Sequence, residues 1–484
     1  MAGHVNVVLV VMDTTRVDDG LDPSVAPTLT TIGTEGTTVQ TAISAAPWTL
    51  PAHASMLTGT YPSKHGAHAD HERLDDSLPV LPELFGEAGY ETVCVSNNTW
   101  LSIESGFERG FDEFKQMWQL FQSPTALGEL VDVTEEGRLT AVGRKLLDGN
   151  PVANAANVLY RLLVRERTDD GADRSTEWIA EWLTERDADQ PFFLLANYLE
   201  PHLEYDPPER LTSEFLPESH SYEAAMEIPQ EPWEFLAGHV TLDDDELRAL
   251  QGLYRAEIAY LDEQLAGLKR ALIEADEWEN TVFVVTADHG ENIGDHGLMD
   301  HQYCLYDSLV HVPLVIHGGA FDGADVTDPV SLVDLAPTLL DEAGIDAPEA
   351  RGEFQGRSFH PTADTRPREF AVSEYMAPQP SMEALQHHVE DLPDHVYRFD
   401  RSLRAIRTKD HKLVRGSDGT RELYDLQTDP GETTDISQSE GEVVERLSTT
   451  LDQWLDSFER AEVTESVSID GERKEQLEEL GYIR

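Results

Sequence analysis

The feature that most constrains this chain is residues 5–12 (VNVVLVVM), a nearly continuous apolar run rich in β-branched residues that ends in a lone acid, Asp13. Such a run, without polar alternation, is the pattern of a strand covered on both faces, as strands are in a parallel sheet. The same signature returns at residues 91–96, 191–198, 281–287 and 312–317. Helical stretches lie between and after these runs, at 79–88, 175–186, 244–275 and 332–343. Strands alternating with helices predict an α/β fold, a doubly wound, mostly parallel sheet sandwiched by helices, with ligands at the carboxyl ends of its strands. Asp13, Asn97 and Asp288 stand just past three such ends.

A chain of 484 residues with 40% hydrophobic content is long enough for one large domain and a smaller one. The expected boundary falls near residue 368: a catalytic α/β domain over 1–368, then a subdomain over 369–484. In the latter, residues 403–408, 412–414 and 423–425 read as short antiparallel strands and 440–458 as a final helix. Residues 124–175 and 207–242 are polar and weakly periodic, and read as insertions that shape a substrate mouth.

Charge narrows the partners. The chain carries 93 acidic against 35 basic residues, a net charge of −58, spread along its whole length. Self-repulsion of this size opposes compaction at low salt and is relieved when salt screens it. The expected setting is the salty cytoplasm of a halophilic archaeon. No basic stripe offers itself to a polyanion, so nucleic acid is excluded as a partner. Two cysteines, Cys94 and Cys304, make no disulfide framework and fit a reduced compartment. The start of the chain reads as a buried strand, not a signal peptide, and no apolar stretch reaches 18 residues, so no membrane span is expected. Whether the chain is a homo-oligomer stays open.

Three clusters carry chemistry. The first is Asp13; the second is Pro47-Trp-Thr-Leu-Pro-Ala-His-Ala-Ser-Met-Leu-Thr-Gly59; the third is Asp288-His-Gly-Glu291, followed by His301. Thr49 reads as the N-cap of a helix with Pro51 in its first turn, so that free N–H groups and the positive end of the dipole face whatever its hydroxyl touches. That suits a hydroxyl attacking an anionic tetrahedral ester. Asp288, His289 and Asp13 offer the oxygen and imidazole donors of a mixed site for Mn²⁺, Zn²⁺, Mg²⁺ or Ca²⁺, with the imidazole disfavouring the last two. One divalent ion is expected.

In combination, residues 287–297 (ADHGENIGDHG), 50–59 (LPAHASMLTG), 330–344 (VSLVDLAPTLLDEAG), 405–414 (AIRTKDHKLV) and 422–432 (ELYDLQTDPGE), with the terminal LGYIR, resemble the sulfatase family of the alkaline phosphatase superfamily. The resemblance spans essentially the whole chain. It implies an alkaline-phosphatase-like fold with a small C-terminal antiparallel α+β subdomain, and Asp13, Asp288 and His289 as metal ligands with Thr49 completing the shell. It also implies an anionic ester as substrate.

The departures from that family are specific. Where the family has an oxidisable Cys or Ser followed by x-Pro-x-Arg, this chain has Thr49-Leu-Pro51-Ala-His53, so no aldehyde can form and the Arg is His53. One of the paired acids after the first strand is Thr14, and the family's Lys segment falls on Ser96-Asn97-Asn98-Thr99. A Thr nucleophile with a nearby Asn resembles the family's phosphodiesterase, phosphonate-ester hydrolase and phosphoglycerol transferase relatives. Asn97 is then expected to donate to a non-bridging oxygen. His202, in Glu200-Pro-His202, and His301, one residue off the family's spacing, are candidates to protonate the leaving oxygen. Phosphoric-ester hydrolysis through Thr49 is the leading expectation. Sulfuric-ester hydrolysis, phosphoryl-group transfer to a glycan or lipid, and a non-catalytic binding module are its rivals.

Overall fold

The computed structural model describes residues 5–117 and 171–461. Seven strands form the main sheet. Asn6–Met12 lies at its centre, parallel to Phe192–Tyr198 on one side and Thr281–Thr286 on the other. Glu91–Ser96 and Glu113–Gln116 extend the parallel part, while Leu314–His317 and Thr37–Thr38 close the opposite edge antiparallel.

The apolar run of the first strand is explained by its two faces. Val7, Leu9 and Val11 enter one hydrophobic core, and Val8, Val10 and Met12 enter another, all fully buried. With both faces covered there is no reason for alternation. The 31-residue helix Asp244–Glu274 covers the second core with Leu250, Leu253, Ile258, Leu261, Leu265 and Leu268. Its start is held by a capping box: Asp243 accepts from the amides of Asp245 and Glu246, and Glu246 accepts from the amide of Asp243.

The run at 312–317 is not one strand. His311–Val312 pairs with Ala42–Ile43 in a separate three-stranded sheet, and only Leu314–His317 joins the main sheet. Pro313 stands at the change-over; without an N–H it cannot continue a ladder, so the chain switches sheets there. Residues 207–242, read as weakly periodic insertion, hold three short helices, Glu209–Thr212, Tyr222–Met226 and Pro232–Ala237. The insertion expected at 124–175 lies mostly outside the described residues, and so does the terminal LGYIR. The helix expected to begin at Ser175 already begins at Ala172.

Beyond residue 370 a four-stranded antiparallel sheet forms from Ala371–Tyr375, Leu403–Arg407, His411–Gly416 and Arg421–Asp425, backed by the helix Gly441–Leu455. The first of these strands was not expected from the sequence. Its five residues are all buried, because it packs back onto the main body. Ser373 donates to the carbonyl of Ser44, and the Glu374 amide donates to the carbonyl of Ala45. The C-terminal sheet therefore buttresses the segment that leads into Thr49.

A buried ion cluster joins the same two parts. The Lys412 ammonium, fully buried, lies 2.9 Å from both Asp307 and Glu432, and Arg407 also reaches Asp307. Burial alone would raise the Asp307 pKa, but Lys412 and Arg407 hold it below the usual carboxylate range. Burial pushes Glu432 up to about 7. Lys412→Met would leave these carboxylates underneutralised, at an expected cost of about 3–5 kcal/mol by chemical denaturation. A loss below about 1 kcal/mol would show that the cluster is decorative.

Candidate active site and metal centre

Parallel pairing brings the functional residues to one edge. The register sets Met12 beside Tyr198, Val11 beside Thr286, and Ser96 beside Asn197. Asp13, Asp288, Asn98 and the turn to His202 therefore leave the sheet side by side. The first turn is pinned in a backbone conformation unusual for a side chain with a Cβ: Thr14 has φ +53°. Tyr254 holds it by donating to the carbonyl of Thr14 and accepting from the amide of Arg16, both at 2.8 Å. Arg16 in turn grips Asp295 with two guanidinium nitrogens.

Thr49 arrives from the opposite side. It is the first residue of the helix Thr49–Thr58, and Trp48 is the N-cap, so the expectation of a capping Thr49 is corrected. The difference matters chemically, because the hydroxyl is not consumed by the helix amides. Its oxygen lies 3.4 Å from His289 Nε2 and 3.3 Å from the Asn98 side-chain nitrogen. Asn98 also donates to Asp13 Oδ2.

Hydrogen bonding assigns the protons. His289 Nδ1 lies 3.0 Å from the carbonyl of Gly290, which can only accept, so Nδ1 carries the proton and Nε2 offers a lone pair. That lone pair faces Asp13 Oδ1 at 3.6 Å and Asp288 Oδ2 at 3.4 Å. Neither of those oxygens has a hydrogen-bond partner, although both residues are fully buried. Three acceptors thus converge, the Thr49 hydroxyl beside His289 being the nearest proton, and among the described residues no Lys or Arg pairs with either acid. Only a cation, or protons forced onto the carboxylates, satisfies such a set. Burial, then Asp288, pushes the Asp13 pKa well above the carboxylate range, and burial raises Asp288. Burial, helped by His301, drives His289 well below the usual imidazole value. The donors fit a divalent metal. A surface cleft of about 1050 Å³ around Arg351, Arg357 and Trp454 contains none of these residues.

The other expected residues divide. His53 is close: its Nδ1 lies 3.0 Å from the Thr49 carbonyl and 3.4 Å from Asp288 Oδ2, and burial keeps it neutral. His202 and His301 stack edge to face at 5.2 Å, and the His301 ring is 4.5 Å from that of His289. The Asn97 side-chain oxygen accepts from Ser175 and its side-chain nitrogen is buried without a partner, while Asn98 reaches Thr49. The chain turns at the strand end, so successive side chains point to opposite sides. Glu291, given no role within the third cluster, and Asp300, which no cluster contained, flank His301 at 3.7 and 2.6 Å. The signal available was the pairing of an acid with His at Asp300-His301, the same order as Asp288-His289.

An α/β sheet carrying buried carboxylates, imidazoles and an uncapped hydroxyl at its carboxyl edge defines a metal-dependent ester hydrolase of alkaline-phosphatase type. Residues 5–345 match the family model described as Sulfatase, and residues 294–459 match N-sulphoglucosamine sulphohydrolase, C-terminal. The chain belongs to the sulfatase family.

Similar proteins cover both ester chemistries. An arylsulfatase of Clostridium perfringens is 26% identical over 91% of this chain and 92% of its own. A multifunctional alkaline phosphatase superfamily protein of Trinickia caryophylli is 26% identical, covering 89% and 91%. The crystal structure of the phosphonate monoester hydrolase of Agrobacterium radiobacter superposes with a TM-score of 0.65 at 19% identity, over 93% of this chain and 95% of that one. At that identity the superposition speaks for the fold alone.

Proposed function

We propose that the protein hydrolyses a phosphoric ester, a phosphodiester or a phosphonate monoester, through a covalent intermediate on Thr49. The observation that carries this reading is the Thr49 hydroxyl, free of capping duty at a helix N-terminus and 3.4 Å from the His289 lone pair. Asp13, Thr49, Asp288 and His289 would hold the divalent ion, and what it supplies is charge, lowering the hydroxyl pKa and polarising the ester.

The chain's own residues account for the rest. Thr49 Oγ1 gives up its proton to solvent and forms a bond to phosphorus as the bond to the leaving oxygen breaks, and that oxygen takes a proton from His202 or His301. The first-turn amides of the Thr49 helix and the Asn97 side-chain N–H, buried without a partner, hold the non-bridging oxygens. Water then cleaves the Thr49 ester. Asn98 spends its two side-chain hydrogens on Asp13 and Thr49 and holds both in place. Residues 1–368 are read as the catalytic unit and 369–484 as its buttress. The acidity of the whole chain supports work in a salty cytoplasm.

Sulfate-ester hydrolysis is the second reading, favoured by the family and by the arylsulfatase relative. Against it stands the residue type at position 49, since a threonine cannot be oxidised to the aldehyde the family uses. Rates on bis-p-nitrophenyl phosphate, p-nitrophenyl phosphate and p-nitrophenyl sulfate in concentrated KCl separate the two. The diester is expected to lead by at least about tenfold; a leading sulfate rate overturns the proposal.

A further inference from the structure

A pocket of about 230 Å³ begins one residue beyond His202, where Leu203 and Glu204 form its first wall. The helix Pro232–Ala237 supplies Trp233, and the end of the helix Met382–His388 supplies His388 and then Val389. All three walls are tied to the side of the site that carries His202 and His301. The His202 ring meets the carbonyl of Leu203, and the helix Pro232–Ala237 packs on the strand Met299–Asp300, just before His301. Tyr303 donates to the carbonyl of Pro380, ahead of the third wall.

The chemistry of the pocket is one-sided. Glu204, Glu231 and Glu234 line it, and no Lys or Arg does. Glu234 is spent on His239 at 2.7 Å, while Glu204 and Glu231 are exposed. Against these acceptors stands one donor: the indole N–H of Trp233 has no hydrogen-bond partner, although the residue is only 5% exposed. A buried indole N–H ordinarily has one. Gln230, the one amide in the lining, already holds the backbone N–H and carbonyl of Tyr205.

A hydroxyl group answers both demands, since its oxygen accepts from the indole while its hydrogen goes to a carboxylate. An anionic group would face like charge, and an alkyl group would leave the N–H unpaired. An ammonium would satisfy the glutamates but not the indole. The volume lies below the roughly 300–1,000 Å³ of sites for drug-sized ligands, so it suits one small unit and not a chain.

We propose that the pocket of Leu203, Glu204, Glu231, Trp233 and His388 receives a small polyhydroxylated alcohol and thereby selects the ester that is cleaved. On the reading of the site as a phosphoester hydrolase centre, which this extends, that alcohol is the group that leaves when His202 or His301 protonates its oxygen.

Methylphosphonate monoesters have a single ester bond, so the alcohol they release is the leaving group. The glyceryl, propyl and glycerate esters are compared on the full-length protein with Mn²⁺ in concentrated KCl. The glyceryl ester is expected to lead both others in kcat/KM by at least about tenfold, since a site built around a hydroxyl rejects an alkyl group and glutamates repel an anion. Trp233→Phe keeps a ring and removes the N–H, and should lower the glyceryl-to-propyl ratio about fivefold. Glu231→Gln, at an exposed position, should lower the glyceryl-to-glycerate ratio by about as much. Ratios near one in the wild type, or a ratio unmoved in either variant, overturn the proposal. Should Trp233→Phe fail to fold, Glu231→Gln decides. Sulfate esters of the same alcohols separate this inference from the reaction class. Sulfates cleaved with the glyceryl preference, and phosphonates untouched, would leave the pocket standing and sink the phosphoester reading. Phosphonates cleaved without preference would do the reverse. Should no ester turn over, the same ratios read as Kd by calorimetry decide.

Discussion

Thr49→Ala is expected to lower kcat on a phosphodiester by at least about 10³-fold, while Thr49→Ser keeps measurable turnover. Both substitutions leave Asp13, Asp288 and His289 in place, so bound metal should persist, with some weakening in the alanine variant. The prediction follows from where the hydroxyl points. A capping threonine would be spent on helix amides, and its loss would cost about 1 kcal/mol of stability and little activity. Here Trp48 is the N-cap, and the Thr49 oxygen faces His289 and Asn98. Retained activity in Thr49→Ala, or a Tm drop with unchanged kcat, would return the residue to a structural role. Single-turnover rates and a trapped phosphoryl-threonine would complete the case.

The second large effect concerns stability. Asp13 and Asp288 both have folded-state pKa values above their ordinary ones, chiefly through burial. Each therefore binds its proton more tightly when folded. The stability this represents is fully present below the unfolded carboxylate value near 4 and is lost as pH rises through the folded values. Metal-free protein should accordingly become less stable over that window. A divalent ion replaces those protons, so its stabilising effect should grow with pH across the same range. It should reach about 2.7 kcal/mol at a hundredfold excess over Kd. The buried His53 and His289, depressed by burial, work with the opposite sign. Their contribution is present above the unfolded value near 6.5 and lost as pH falls through the folded values. Melting with Mn²⁺ and with EDTA at each pH isolates Asp13, Asp288 and His289 together, since His53 is common to both. Asp13→Asn should raise the Tm of the EDTA-treated protein and abolish the Mn²⁺ shift. A Tm indifferent to EDTA at every pH would show that Asp13, Asp288 and His289 hold no ion.

Much of the fold was legible in the sequence because burial on two faces writes itself into residue type. The runs at 91–96 and 281–287 became Glu91–Ser96 and Thr281–Thr286, and the helix expected at 244–275 is Asp244–Glu274. Local chemistry also names its residues: an acid directly after a buried strand, a His beside it, a Thr before a proline-bearing first turn. Where a proline redirects the chain, as at Pro313, or a strand is made by packing, as at Ala371–Tyr375, residue type alone does not tell.

The sequence by itself determined the central strands, the long helix and most of the chemically active side chains, since these depend on contacts within a few residues. Only the tertiary structure decided that Asn98 and not Asn97 meets Thr49, that Thr49 is uncapped, and that Glu291 turns inward beside Asp300 and His301. Those outcomes depend on which way a turn leaves the sheet and on partners as far away as Tyr254, 240 residues on from Thr14. Direction across such distances is a property of the packed core and is written in no local pattern.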